Sequence, residues 1–132
     1  MGGDHGPPVI LPAAVKAIQL HPDVHFTLCG DEDTIIAGIQ PLTDSERKRV
    51  TIVHCSQVVE MGEAPTSALR NKKDSSMRRV IELVESGEAN ACVSAGNTGA
   101  LLTLSFYLLK TLSGIDRPAL INMMPTTGHH NV

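Results

Sequence analysis

Short runs of β-forming residues alternate with helix-like segments along this chain, and this alternation constrains the fold more than any other feature. The β-forming runs occupy residues 24–29, 50–55, 91–95 and 118–124. Strands that alternate with helices through short connections pack as a parallel sheet covered by helices. The sequence therefore predicts an α/β fold with three α-β-α layers and a mostly parallel sheet.

Helical spacing and end signals define the intervening helices. Apolar side chains recur at helical spacing in four segments, residues 11–20, 34–39, 76–86 and 100–112, and 65–70 is predicted to form a helical turn. Asp31 and either Asp74 or Ser75 stand where a helix N-cap is expected. Gly87 is a natural C-terminal stop.

Composition excludes several classes of protein. The 132 residues are 42% apolar and 19% charged, which is enough apolar material for the core of one domain. A net charge of −3 and only 2% aromatic residues argue against nucleic-acid binding. Three widely spaced cysteines form neither a disulfide framework nor a CxxC zinc motif, and no secretory signal is evident. We expect free thiols, no metal and a cytoplasmic location.

One glycine-containing turn joins a predicted strand to a predicted helix. Glycine lets a ligand approach the backbone, and a helix start offers free N–H groups to an anion. The turn matches neither a Walker loop nor GxGxxG, so an ordinary tight turn capped by Thr98 is an equal alternative. Its candidate phosphate-binding residues are Ser94, Gly96, Asn97, Thr98 and Gly99.

A second candidate site is a basic segment in an otherwise acidic chain. Residues 70–79 contain five basic side chains and a single acidic one, Asp74. Ser75 and Ser76 stand at the start of the next predicted helix. Cations beside a helix start favour an anion, although on charge alone a solvated basic face is the simpler interpretation. The five cations are Arg70, Lys72, Lys73, Arg78 and Arg79.

The first residues carry a third candidate. Asp4 and His5 lie among glycines and prolines, where they could take part in acid–base chemistry. A cap for Asp4 and mere exposure for His5 are the alternatives. Turn residues at both chain ends also suggest a piece of a longer protein.

Five blocks in order resemble the phosphate acyltransferase family of bacterial phospholipid synthesis, the PlsX family. The blocks are MGGDHGP at 1–7, GDE at 30–32, KKDSSMR at 72–78, SAGNTGA at 94–100 and GIDRPA at 114–119. Each block alone is weak, but five in order at similar spacing are strong, and the resemblance extends over nearly the whole chain.

The resemblance implies that phosphate attacks the thioester of a fatty acyl group on acyl carrier protein. The product, acyl phosphate, then feeds phosphatidic acid synthesis. No cofactor is implied. A homodimer is implied, with at most transient contact with a membrane surface. The implied fold is similar to that of phosphate acetyltransferases and the isocitrate dehydrogenase-like group.

Roles for the candidate residues follow from that chemistry as hypotheses. Asp4, Lys72 and Lys73 are the catalytic candidates, with a lysine placed to stabilise the oxyanion. Ser75 and Ser76 join the glycine turn as phosphate ligands. Acyl carrier proteins are acidic, so Arg70, Arg78 and Arg79 are candidates for docking the carrier.

Two rival functions stay open, one with a different acyl donor and one for a chain that is only part of an enzyme. Family members are much longer, so residues 1–132 are interpreted as the N-terminal part of an enzyme, without its first strand and C-terminal half. We expect weak or no activity from it alone. The rivals are a coenzyme A-dependent phosphate acetyl- or butyryltransferase and a non-catalytic phosphate-binding fragment. A dinucleotide-binding module is a distant third.

Overall fold

Two neighbouring parallel strands form a small sheet. The computed structural model describes residues 2–121 and the backbone of residues 124–125 and 130–131. Strand β1 (Phe26–Gly30) pairs in parallel with β2 (Val50–His54), so that Phe26 lies opposite Val50. Two short strands, β3 (Met124–Pro125) and β4 (His130–Asn131), pair antiparallel.

Six helices accompany the strands. They are α1 (Pro7–Leu20), α2 (Glu32–Gly38), α3 (Asp44–Arg47), α4 (Pro65–Asn71), α5 (Ser76–Glu85) and α6 (Thr98–Leu109). The chain passes from β1 to β2 through α2 and α3, as a parallel crossover requires. The prediction of an α/β fold with parallel strands is confirmed. Within the described part of the chain, the parallel sheet has two strands.

Two apolar clusters hold these elements together. One buries Val15 and Ile18 of α1 against Ile35 of α2, and alternate strand residues such as Leu28 and Ile52 pack on it. The other joins the region after β2 to α4, α5 and α6, through Val59, Ala68, Met77, Ile81, Ala100 and Leu104. The first cluster fixes one face of the sheet, and the second fixes the starts of the helices that carry the candidate site.

The helix end signals form as expected. The Asp31 carboxylate accepts a hydrogen bond from the Thr34 amide at 2.9 Å and caps α2. The Ser75 hydroxyl accepts from the Arg78 amide at 3.3 Å and caps α5. Gly87, with φ 79°, follows the last turn of α5. These three predictions are confirmed. Each could be made from sequence because a helix cap depends on residues close to one another in the chain.

Helix α1 begins at Pro7, four residues before the predicted start. Pro7 and Pro8 occupy its first two positions, where a missing N–H costs nothing. Pro12 therefore lies inside the helix and not in its first turn. Some of the residues at the start of the chain that indicate a turn are therefore part of a helix that is longer than predicted.

The predicted buried strand at 91–95 is wrong. This segment forms no ladder, and the Val93 side chain is 94% exposed. A strand needs a neighbour about 4.8 Å away. Within the described residues this segment has no strand beside it, and Val93 and Cys29 instead both line a cavity of about 140 Å³.

Two further boundaries near the end of the chain differ from expectation. Helix α6 ends at Leu109 and does not reach residue 112, because Lys110 takes φ 66° and leaves the helix. Of the predicted strand 118–124, residues 118–121 are exposed and form no strand, residues 122–123 lie outside the described residues, and Met124 begins β3. No helix in the described part is long and apolar enough to cross a bilayer.

Candidate functional site

The opening glycines pack directly against the glycine turn of residues 94–99. Gly3 has φ 94°, and a Cβ on it would lie 2.9 Å from the carbonyl oxygen of Ala95. A Cβ on Gly2 would lie 3.5 Å from the Cα of Gly96. The fold therefore brings the first and fourth sequence blocks into backbone contact, at a distance that suits glycine.

The same turn also touches α5. A Cβ on Gly96 would lie 2.8 Å from the terminal methyl group of Met77, in the first turn of α5. The Gly96 amide donates to the Ser94 hydroxyl at 3.2 Å. Ser94, Gly96 and Ser76 line the cavity of about 140 Å³ beside β1. Three predicted phosphate ligands therefore face one cavity.

Asn97 is an internal clamp. Its side chain accepts from the Ala100 amide at 3.0 Å and caps α6. Its Nδ2 lies within hydrogen-bond distance of the carbonyl oxygens of Glu60 (3.2 Å), Met61 (3.0 Å) and Glu63 (2.8 Å). Only 8% of the residue is exposed. These contacts use the polar atoms of the side chain within the chain itself, and Asn97 rather than Thr98 caps the helix.

Two amides at the start of α6 keep their donors available. Thr98 and Gly99 are exposed, and no acceptor for their amides is found in the described part of the chain. The first N–H groups of a helix lack partners inside it and favour anions. Pro65 at the start of α4 would be 3.1 Å from a Cβ on Gly99, so α4 borders this helix start.

Of the five cations, Lys72 and Lys73 lie on the turn between α4 and α5, Arg70 lies in α4, and Arg78 and Arg79 lie in α5. Ser75 is fully buried, and its hydroxyl donates to the Lys72 carbonyl oxygen at 2.8 Å while it caps α5. Lys73 is exposed, and Lys72 is half-buried. Neither lysine lines the cavity that Ser76 shares with Ser94. The hydroxyl of Ser75 is used locally, whereas the ammonium groups remain available.

Ion pairs divide the five cations into two groups. Arg78 pairs with Glu82 at 2.7 Å, and Arg79 pairs with Glu82 at 3.1 Å and with Asp74 at 3.6 Å. Within the described residues, Arg70, Lys72 and Lys73 have no such partner. The uncompensated positive charge is therefore concentrated at the end of α4 and on the turn.

Ser56 and Gln57 hold this turn, and neither is predicted from the sequence. The Ser56 hydroxyl donates to the Asp74 carboxylate at 2.6 Å, and its amide donates to the same oxygen at 3.0 Å. The hydroxyl bond, then the amide bond, lower the pKa of Asp74 below its usual value. The available signal was topological, since both residues follow the carboxyl end of β2, where ligands of parallel sheets bind.

The acid–base candidates at the start of the chain lie apart from the cavity of about 140 Å³. Asp4 and His5 are exposed, and neither lines it. A second cavity, of about 430 Å³, lies between the opening loop and the segment after β2, and Gly3, Asp31 and Glu60 are among its lining residues. The catalytic role of Asp4 stays a prediction.

The three cysteines are free thiols in the structure, as predicted. Burial, followed by the neighbouring Cys55 thiol, raises the pKa of Cys29 to about 12. Burial also raises the pKa of Cys55 and of Cys92. Thiols of this kind are poor nucleophiles. No cluster of three or more metal-ligating His, Cys, Asp or Glu side chains occurs among the described residues.

Comparison with known proteins identifies the family. The chain is 54% identical over 128 residues to a phosphate acyltransferase of Halorhodospira halophila, which covers 97% of this chain and 37% of the relative. It is 53% identical over 133 residues to a phosphate acyltransferase of Coxiella burnetii, covering 100% of this chain and 39% of the relative. The chain thus spans about two fifths of the length of these relatives.

The family match covers every residue. A family model described as "Fatty acid synthesis protein" matches residues 1–132. With relatives at about 50% identity named phosphate acyltransferase, the resemblance drawn from the five sequence blocks is confirmed. The chain belongs to the fatty acid synthesis protein family that includes these phosphate acyltransferases.

Proposed function

We propose that this chain is the phosphate-binding part of an acyltransferase that moves a fatty acyl group from acyl carrier protein to inorganic phosphate. The acyl phosphate formed would serve phosphatidic acid synthesis. The relatives' printed name supports transfer of an acyl group to phosphate. The observation that carries the proposal is the exposed start of α6, where the amides of Thr98 and Gly99 are available to an anion.

The reaction places a specific demand on the site. A phosphate oxygen attacks the thioester carbonyl carbon, a C–O bond forms, and the C–S bond breaks as the carrier's thiolate leaves and takes up a proton. Phosphate is already a competent nucleophile, so the protein's main tasks are to hold it and to orient it. Backbone amides at a helix start and an adjacent cation are suited to both tasks.

Each predicted residue keeps a role in the proposal that its contacts allow. Thr98 and Gly99 bind phosphate through their amides, and Ser76, Ser94 and Gly96 line the neighbouring cavity. Lys72 and Lys73 supply positive charge to phosphate or to the developing oxyanion. Asp4 is a candidate for orienting a proton. Asn97 and Ser75 support the helix starts, because their polar atoms already have partners.

Partners and setting follow from the same proposal. Arg70 is the best candidate among the arginines for docking the acidic carrier protein, since Glu82 and Asp74 compensate Arg78 and Arg79. The complete enzyme would be a cytoplasmic homodimer that contacts a membrane surface transiently. It would be a longer protein with a three-layer fold similar to that of phosphate acetyltransferases. It would need no metal or redox cofactor.

The test is a chimaeric enzyme. Residues 1–132 replace the matching segment of the Halorhodospira halophila phosphate acyltransferase, and acyl phosphate is trapped with hydroxylamine. Palmitoyl-carrier protein and palmitoyl-coenzyme A are compared as donors, with and without phosphate. We expect phosphate-dependent product from the carrier-protein donor, and a loss of about tenfold or more in Lys73→Gln.

Matched controls separate the outcomes. Lys16→Gln removes an exposed lysine from α1, outside the site, and should leave turnover unchanged. Product from the coenzyme A donor alone would favour the coenzyme A-dependent alternative. A folded chimaera without phosphate-dependent product would contradict the proposal.

A further inference from the structure

The turn that carries Lys72 and Lys73 is tied to the segment after β2 by two residues, Ser56, which bonds to the Asp74 carboxylate, and Gln57. The Gln57 amide donates to the carbonyl oxygen of Asp74 at 3.2 Å, and its own carbonyl accepts from the Ser76 amide at 3.3 Å. These bonds form an isolated parallel bridge between Gln57 and Ser75. The backbone of Gln57 thereby registers the start of α5 against the carboxyl end of β2.

The Gln57 side chain spans the turn itself. Its Oε1 accepts from the Asp74 amide at 2.9 Å, and its Nε2 donates to the Asn71 carbonyl oxygen at 3.4 Å. These two contacts bracket the lysines on the N-terminal and C-terminal sides. No other side chain in the described part of the chain bonds to both flanks of the turn.

We propose that Gln57 is a positioning residue that holds Lys72 and Lys73 in place for an anion. This inference rests on the proposed function, in which those lysines face phosphate. A lysine ammonium group on a four-carbon stem is mobile, and a fixed backbone beneath it reduces the freedom lost on binding. Gln57 acts through the turn and does not need to touch the ligand.

A variant that keeps the size of the side chain tests the inference. Gln57→Met retains the length of the stem but can neither donate to Asn71 nor accept from Asp74. Gln40→Met is the matched control, because Gln40 also has two side-chain contacts, to Ile36 and Arg47, in the segment after α2. Thermal unfolding verifies that both variants fold.

Two readouts are taken on the 132-residue chain. Amide relaxation by NMR reports the order of residues 72–74, and titration with inorganic phosphate gives a Kd. Gln57→Met should increase amide mobility in the turn and raise the phosphate Kd about fivefold, whereas Gln40→Met should change neither. An ordered turn in Gln57→Met, or a mobile turn with an unchanged Kd, would overturn the inference.

Lysine variants separate this inference from the proposed function. If Lys72→Gln and Lys73→Gln weaken phosphate binding but Gln57→Met does not, only the positioning role fails. If the lysine variants leave the Kd unchanged, or if the unchanged chain binds no phosphate, the proposed use of the lysines fails, and the inference fails with it.

Discussion

The Nδ2 atom of Asn97 lies 2.8 Å from the carbonyl oxygen of Glu63, across 34 residues of sequence. The same amide group reaches two further carbonyls of that loop, while its oxygen caps α6. One buried side chain therefore fixes both the direction of the helix start and the loop beside it. The amides of Thr98 and Gly99 are presented by a rigid support.

Removal of this clamp should destabilise the fold. Asn97→Ala removes a helix cap and the amide donor that the carbonyls of Glu60, Met61 and Glu63 share, and we expect a loss of about 2–3 kcal/mol in the free energy of unfolding. Urea denaturation measures it. Asn90→Ala, which truncates an exposed asparagine, is the control. Equal stability of the two variants would contradict the clamp.

A second variant separates the two functions of the Asn97 side chain. Asn97→Asp keeps the oxygen that caps α6 but replaces the donor by a second oxygen facing three carbonyls. We expect it to be at least as destabilising as Asn97→Ala. The retained cap contributes only about 1 kcal/mol, whereas the new oxygen is buried against carbonyl oxygens to which it cannot donate. A fully stable Asn97→Asp would show that the cap is the only important contact.

The close contact between Gly3 and Ala95 predicts that a side chain at Gly3 is costly. Gly3→Ala meets both a φ of 94° and a carbonyl oxygen 2.9 Å from the new Cβ, so we expect a loss of about 1–3 kcal/mol. Gly62→Ala is the matched control, because nothing lies within 4 Å of its Cβ position and its φ is not positive. Similar urea midpoints for the two variants would contradict the contact.

Asp74 should contribute to stability in a pH-dependent way. Its folded-state pKa is lowered from the usual 3.8 by the Ser56 hydrogen bonds. The ionised carboxylate therefore favours folding above pH 3.8, and this contribution is lost as the pH falls through the lowered value. Urea unfolding of Asp74→Asn should show a weaker dependence on pH than the unchanged chain between about pH 2 and 4.

The control for that titration is another carboxylate. Asp23 is exposed and has no hydrogen bond to the described part of the chain, so Asp23→Asn removes a carboxylate without removing such a contact. An acid dependence that is the same in Asp74→Asn as in the unchanged chain would count against the Ser56–Asp74 interaction.

Cys29 should react slowly with alkylating agents in the native chain. With a pKa of about 12, only about one thiol in ten thousand is ionised at pH 8. Iodoacetamide labelling, followed by peptide mass mapping, should be more than about a hundredfold slower at Cys29 in the native chain than in urea. Equal rates in the two states would mean that the thiol is not shielded.

Local chemistry explains which parts of the fold were predictable. The Asp31 and Ser75 caps and the parallel pairing of β1 with β2 depend on residues close in sequence or on a single crossover. The strand prediction for residues 91–95 is wrong because strand formation depends on a partner strand. The apolar composition of the segment does not reveal whether that partner is present. Strand propensity describes what fits a sheet, not whether a neighbour is present.

The candidate site divides in the same way. The glycine turn and the basic turn were located from sequence because glycines, cations and helix starts have local signatures. The clamp of Asn97 on Glu63 and the bridge from Gln57 to Asp74 were not, because each joins residues distant in sequence through one side chain. Through these contacts Asn97, which was predicted to bind phosphate, and Gln57 support the candidate site structurally.

Phosphate binding at the start of α6 and at the basic turn is measured by titrating the 132-residue chain with inorganic phosphate and following its amide signals. Sodium chloride at equal ionic strength is the control for screening. We expect saturable shifts at Thr98 and Gly99 and at the Lys72–Lys73 turn, with both sets following one Kd. Shifts that are absent, that appear equally with chloride, or that lie elsewhere on the chain would contradict this expectation.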